Sequence, residues 1–178
     1  MEHSSLKQPA LKPQDLVVAL KICVRAEEGL SFSALAQQLF MSASEVHAAV
    51  GRAATSHLLT RDQGVLVPNR ASIREFLVHG AKYAFPVVVG APGRGLPTGA
   101  SAPPLNHHFQ QLDALPLVWP DADGIVRGIA IRPLYPSVPM ACKTDDKLYR
   151  LLTVVDALRG GAAREREIAK ECLAGVLR

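Results

Sequence analysis

Residues 30–67 decide the fold of this chain and read LSFSALAQQLFMSASEVHAAVGRAATSHLLTRDQGVLV. A first short helix is predicted by a core-facing apolar stripe, which is formed by Leu35, Ala36 and Leu39. Ser42 or Ser44 then offers a side-chain oxygen that caps a second helix. The second helix has an apolar stripe of its own, formed by Val46, Val50 and Ala53 or Ala54. Two short helices joined by a tight turn predict a helix-turn-helix, whose second helix fits the major groove of DNA.

The residues that follow predict a β-hairpin. Residues 58–60 and 65–67 have the composition of two short strands, and Asp62-Gln63-Gly64 between them has that of a tight turn. Gly64 supplies the positive φ that such a turn needs. Helix, helix and hairpin in this order predict a winged helix-turn-helix.

The pattern LAQQLFMSASEVHAAVGRAATSHLL, residues 35–59, resembles the winged-helix regulators of the MarR family and similar bacterial transcription factors. The resemblance covers about residues 14–80. It implies a winged-helix fold, DNA binding and a homodimer that forms through helices flanking the winged domain. Such domains often carry Gly before the strand that enters the hairpin, where this chain has Ser56 and His57.

The chain is predicted to be mainly helical with a small β content, an α+β fold. Residues 1–12 lack periodicity and are predicted to be a flexible arm. Residues 13–85 are predicted to be the winged helix-turn-helix domain. Within it, a supporting helix is expected over 13–26 and a helix leading out of the domain between Asn69 and Tyr83.

Residues 86–142 are predicted to be an extended Pro/Gly-rich segment that contains a β-hairpin. Asp123-Gly124 lies between two apolar runs and predicts the turn of that hairpin. The portion PGRGLP, which contains Arg94, faintly resembles a minor-groove AT-hook but lacks the second arginine of the RGRP core.

Residues 143–178 are predicted to be a helical region for dimerisation or docking, with helices over 145–159 and 163–177. Their apolar stripes would be exposed on a small body, so we expect them to form the seam of the dimer.

Composition narrows the function further. No apolar run approaches the roughly 18–20 residues that a membrane span requires, and the N-terminus lacks an apolar signal core, which predicts a cytoplasmic protein without a membrane partner. Three cysteines without CxxC spacing argue against structural disulfides and zinc. His107-His108 is a poor chelate, and no signature of a catalytic site is present. We therefore predict no enzyme activity, no metal and no cofactor.

The formal net charge is +4, but its distribution is uneven. Residues 1–80 contain 8 Lys and Arg against 7 Asp and Glu, and residues 81–178 contain 12 against 9. The predicted DNA-binding domain is therefore nearly neutral. This argues against strong non-specific DNA binding by a monomer and favours binding by two copies together.

The candidate DNA contacts are the outward residues of the second helix and the hairpin tip. They are Ser42, Ala43, Ser44, Glu45, His47, Ala48 and Arg52 on the helix, and Arg61 and Gln63 at the tip. Arg52 suits guanine or a phosphate, Glu45 suits cytosine N4, and Ser44 with the helix N-terminus suits a backbone phosphate.

We predict a sequence-specific, homodimeric transcriptional regulator, with repression favoured over activation. The main alternative is an interaction protein, such as the antitoxin of a toxin–antitoxin pair, in which residues 86–178 bind the partner. A third alternative is a ligand-responsive sensor with an apolar pocket near Trp119.

Overall fold

The computed structural model describes residues 9–109 and 115–177, which form a mixed α+β structure. Among these residues, no helix is both long and apolar enough to cross a lipid bilayer.

The first three helices are α1 (Pro13–Val24), α2 (Phe32–Leu39) and α3 (Ala43–Thr55). The apolar stripes that were predicted for α2 and α3 are buried. Of the two residues predicted as alternatives for the end of the α3 stripe, Ala53 is buried and Ala54 is half-buried. The helices join at Phe40, whose φ of 52° ends α2 in the left-handed conformation. α1 packs on α3. Both helices contain side chains with almost no exposure, among them Leu16, Leu20, Val46 and Ala53.

The hairpin consists of β1 (Leu59–Asp62) and β2 (Val65–Pro68), which pair antiparallel. Gln63 and Gly64 form the two-residue loop, and both have positive φ, 46° and 86°. Two positive φ values are the requirement of the tight turn that matches strand twist, so the prediction for Gly64 is confirmed. His57, before β1, has a φ of 59°, which explains why glycine suits that position.

A helical segment then runs from α4 (Arg70–Glu75) through a wider turn at Phe76–Gly80 into α5 (Ala81–Ala84). The Asn69 side chain accepts a hydrogen bond from the N–H of Ser72 at 3.1 Å and caps α4, as predicted.

Three strands follow: β3 (Val89–Pro97), β4 (Leu117–Pro120) and β5 (Val126–Ile131). The predicted hairpin at Asp123-Gly124 is wrong, because β4 and β5 run parallel to each other and both pair antiparallel with β3. Each strand thus pairs with the other two, and the three close into a small barrel.

Two glycines make this closure possible. The chain between β4 and β5 crosses β3 at Gly95, where a Cβ on Gly124 would lie only 2.5 Å from the Cα of Gly95. A Cβ on Gly95 would in turn collide with the carbonyl oxygen of Trp119. Gly124 is therefore required for a backbone crossing rather than for the turn of a hairpin.

The C-terminal part comprises α6 (Val138–Lys143), α7 (Asp146–Gly160) and α8 (Ala163–Val176). Residues 151–159 of α7 are all buried, because α1, α5, α6 and α8 surround the helix. The expectation that the apolar stripe of 145–159 would be exposed is wrong, whereas the stripe of 163–177 is half-buried except for the buried Leu173. Leu148, Leu152 and Val155 of α7 and Leu173 of α8 are instead buried within one chain. The dimer seam that was inferred from exposed stripes stays a prediction.

Candidate nucleic-acid interface

The N-terminus of α3 is closed by a reciprocal pair of hydrogen bonds. The Ser42 hydroxyl accepts from the N–H of Glu45 at 3.2 Å, and the Glu45 carboxylate accepts from the N–H of Ser42 at 3.0 Å. This capping box satisfies two backbone donors that the first turn of a helix leaves open. The helix cap that was predicted at Ser42 or Ser44 is therefore formed by Ser42. Ser44 lies two residues later, in the first turn of α3, and is exposed.

One side of α3 faces away from the body. Ala43, Ser44, His47 and Ala48, four of the predicted contacts, lie on this exposed side, together with Gly51. The His47 ring packs at 5.5 Å from the ring of Phe32 on α2, centroid to centroid, which fixes its direction. We call these five α3 residues the α3 outer face. It consists of small side chains and one imidazole, and it contains no lysine, arginine or carboxylate.

Glu45 does not belong to this free surface. Its Oε1 accepts a hydrogen bond of 2.6 Å from the Tyr135 hydroxyl, while its other oxygen serves the cap of α3. The hydrogen bond from Tyr135, followed by those from Ser42, lowers the pKa of Glu45. These partners occupy both carboxylate oxygens and give Glu45 a structural role in the protein. Its contact with cytosine N4 stays a prediction.

Arg52 is also occupied. Its Nε and Nη2 donate to the two oxygens of Asp15 at 2.8 and 2.7 Å, a two-pronged contact between α3 and α1. Asp15 is fully buried, and its hydrogen bonds are the main cause of a raised pKa at Arg52. The guanidinium fork of Arg52 thus binds Asp15 in the structure, which gives Arg52 a structural role. Its contact with a guanine or a phosphate stays a prediction.

We expect Arg52→Ala to lower the free energy of unfolding by about 1–3 kcal/mol, because it leaves the Asp15 carboxylate buried without its charged partner. Urea denaturation measures this loss. Arg61→Ala is the matched control, since Arg61 is exposed and its removal is expected to change stability by less than about 0.5 kcal/mol. Equal stability of the two variants would contradict the structural role of Arg52.

The hairpin tip holds the remaining predicted contacts. Arg61 and Gln63 are both exposed, and so is Asp62 between them. Arg61 borders a cleft of about 220 Å³ between the hairpin and the α1–α2 connection, which Arg25 and Phe32 also line. Of the two arginines that line this cleft in the described part of the chain, Arg25 is paired with Asp145 and Glu28, and Arg61 has an exposed side chain.

Two residues that support the side chains of α3, Tyr135 and Phe32, were not predicted from the sequence. Tyr135 lies far along the chain in the Pro-rich segment and yet holds Glu45, and Phe32 supports His47. Phe32 could have been identified from the sequence, because it lies on α2 one turn before the apolar stripe of that helix. Nothing local marks Tyr135.

The other candidate sites do not assemble. Within residues 9–109 and 115–177, no three His, Cys, Asp or Glu side chains are grouped as metal ligands. Burial raises the pKa of all three thiols, Cys23, Cys142 and Cys172, which disfavours a reactive thiolate. Trp119 is buried, and its indole N–H donates to Asp156 at 2.6 Å.

A scan against protein-family models finds no match for this chain, and searches of curated proteins and of solved structures find none either.

Proposed function

We propose that residues 13–85 form a winged helix-turn-helix, and that this protein binds double-stranded DNA through the α3 outer face and the hairpin tip. The observation that carries the proposal is the α3 outer face itself. It is exposed along α3, it has an ordered helix N-terminus, and a β-hairpin with an exposed arginine follows it in the chain. A helix presented in this way suits the major groove, and a hairpin beside it suits the adjacent backbone.

The contact residues in this proposal are fewer than those expected from the sequence. Ala43, Ser44, His47 and Ala48 approach the base edges, the first-turn N–H groups and Ser44 approach a phosphate, and Arg61 and Gln63 contact the backbone. Ser42 acts through the cap. Few side chains here carry charge, so two copies on adjacent half-sites, about 34–36 Å apart, supply the affinity. We accordingly propose a homodimeric transcriptional regulator of the MarR-like type, with repression as its simplest action.

The test is binding of the full chain to duplex DNA from the region upstream of its own gene, measured by fluorescence anisotropy at two salt concentrations. Ala48→Glu places a negative charge on the α3 outer face and is expected to weaken binding by more than about tenfold, through repulsion of the phosphates. Ala163→Glu, at an exposed residue in the first turn of α8, is the matched control. Arg61→Ala is expected to lower the salt slope by about 1.

Two results would refute the proposal. The first is a wild-type chain that ignores the duplex at low salt. The second is an Ala48→Glu variant that binds as the wild type does.

Docking of a protein partner is the second candidate, because the α3 outer face contains no arginine or lysine and is rich in alanine and glycine. Such a surface also suits close packing against another protein. In the antitoxin form of this candidate, residues 86–178 hold a toxin. A partner that co-purifies in stoichiometric amounts, with no retained DNA affinity, would favour it over the regulator.

A further inference from the structure

Two arginines stand directly opposite each other on the barrel. Arg94 of β3 and Arg127 of β5 are partners in the antiparallel ladder. Residues paired in this way share one face of the sheet, with Cβ atoms about 4.5–5.5 Å apart. Both side chains are exposed, whereas Gly128, the next residue after Arg127, is buried. The two guanidinium groups therefore project together from the outer surface of the barrel.

No acidic side chain neutralises this pair within the part of the chain that the structure describes. Asp121 is adjacent, since its N–H donates to the carbonyl oxygen of Arg94 at 3.2 Å. Its carboxylate, however, lies 2.7 Å from Lys143 Nζ, and that of Asp123 lies 3.5 Å from the same atom. The hydrogen bond from Lys143 lowers the pKa of Asp121, so this carboxylate is ionised but already paired.

Like charges directly opposite each other destabilise a pair of strands. The arrangement therefore costs the fold stability, and most other exposed residues would avoid that cost. Paired guanidinium forks match the oxygens of a phosphate, which accepts several parallel hydrogen bonds and carries the charge that the pair lacks. We propose that Arg94 and Arg127 together form a binding site for a phosphate group.

That phosphate has two chemical sources, the backbone of a nucleic acid and a small phosphate compound. The nucleic-acid source rests on the proposed function, because it makes the barrel a second contact to the DNA backbone. The small-compound source is independent of DNA binding. The segment PGRGLP, which faintly resembles an AT-hook, contains only one arginine, Arg94. The fold places a second arginine, Arg127 of β5, beside it.

The first experiment measures thermal unfolding of the full chain. Three variants remove the like-charge contact by replacing one arginine of the pair: Arg94→Thr, Arg127→Thr and Arg127→Glu. We expect each to raise Tm by about 1–4 °C in the absence of phosphate. Pyrophosphate, compared with NaCl at equal ionic strength, is expected to raise the Tm of the wild type but not that of these variants. Arg132→Thr, at an exposed arginine paired with no other arginine, is the control and is expected to respond as the wild type does.

The second experiment measures affinity for the upstream duplex. Loss of one phosphate contact is expected to weaken binding about five- to tenfold at 0.1 M salt and to lower the salt slope by about 1. Arg94→Thr and Arg127→Thr should show this change and Arg132→Thr should not.

A pyrophosphate response without a change in DNA affinity assigns the site to a small phosphate compound. A change in DNA affinity assigns it to the nucleic-acid backbone. If the wild type binds no DNA, the proposed function fails, and the pyrophosphate response alone decides the inference. Wild-type behaviour of Arg94→Thr, Arg127→Thr and Arg127→Glu with every phosphate ligand tested overturns it.

Discussion

Replacing Asp156 by alanine is expected to lower the free energy of unfolding by about 3–5 kcal/mol, the usual cost of leaving a buried charge without its partner. Asp156 and Arg159 are one turn apart on α7, and their side chains are 2% and 3% exposed. Arg159 donates to Asp156 through Nε and Nη2, at 3.1 and 2.6 Å. Alanine at position 156 would leave this guanidinium buried and uncompensated.

The effect reaches beyond the ion pair, because Asp156 also joins α7 to the barrel. Its Oδ2 accepts from the Thr98 hydroxyl at 2.8 Å and from the Trp119 indole N–H at 2.6 Å. Arg159 meanwhile donates to the carbonyl oxygen of Phe85 at 2.8 Å, where α5 ends. Thr98, Trp119 and Arg159 thus donate to one carboxylate from three parts of the chain, and its removal leaves all three buried donors without this acceptor.

Urea denaturation followed by tryptophan fluorescence measures this loss directly, since Trp119 is the sole tryptophan and is itself a partner of Asp156. Asp146→Ala is the matched control on the same helix. Its ion pair with Arg150 is exposed, so a change of less than about 1 kcal/mol is expected. Similar losses for the two alanine variants would show that the buried network does not stabilise the fold.

The second large effect is expected at Asp145, which connects α7 to α1. Its Oδ2 lies 2.6 Å from Lys21 Nζ, and its Oδ1 lies 2.8 Å from Arg25 Nη2. Oδ1 also accepts from the N–H of Leu148 and so caps α7. Lys21 is only 2% exposed. Asp145→Asn keeps the shape and removes the charge, and we expect it to cost about 3–5 kcal/mol because Lys21 then remains buried without an anion.

Acid pH should reproduce part of this loss in the wild type. Burial alone would raise the pKa of Asp145, but the hydrogen bonds from Arg25 and Lys21 outweigh it and lower that pKa from 3.8 to about 2. A carboxyl whose pKa is lowered by folding stabilises the protein above its unfolded value. This contribution is therefore complete above about pH 4 and is lost as the pH falls through about 2.

The check is a series of Tm measurements between neutral pH and about pH 2 on the wild type and on Asp145→Asn. The variant should lack the part of the acid-induced decrease that belongs to Asp145. A double variant, Asp145→Asn with Lys21→Met, should recover some stability, because it no longer buries an unpaired ammonium group. An unchanged acid profile in Asp145→Asn would exclude the ion pair as its cause.

Local elements were predictable wherever neighbouring residues alone determine the conformation. The stripes of α2 and α3, the cap at Ser42, the cap at Asn69 and the turn at Gly64 all depend on residues within a few positions of one another. Hydrophobic periodicity, capping and positive φ are short-range effects, so the printed sequence contains the information that they need.

Which side chains and strands contact each other across the fold was not predictable in the same way. Arg52 and Glu45 occupy outward-looking positions of α3 by periodicity, yet Asp15 and Tyr135 bind them. The turn signal at Asp123-Gly124 was real but marks a crossing over Gly95, because β4 and β5 run parallel and a tight turn joins only antiparallel strands. The apolar stripe of 145–159 was also real, but the same chain covers it.

The sequence by itself determined where the first hairpin and the helices other than α6 form, because those depend on side-chain period and backbone torsion over a few residues. Helix α6 (Val138–Lys143) lies at the end of residues 86–142, which were predicted to be extended. Only the tertiary structure decided which charges are free. Asp15, Asp145 and Asp156 each find a cation on another part of the chain or a turn away, whereas Arg94 and Arg127 meet each other. Ion pairing depends on distance in space, and sequence separation does not report that distance.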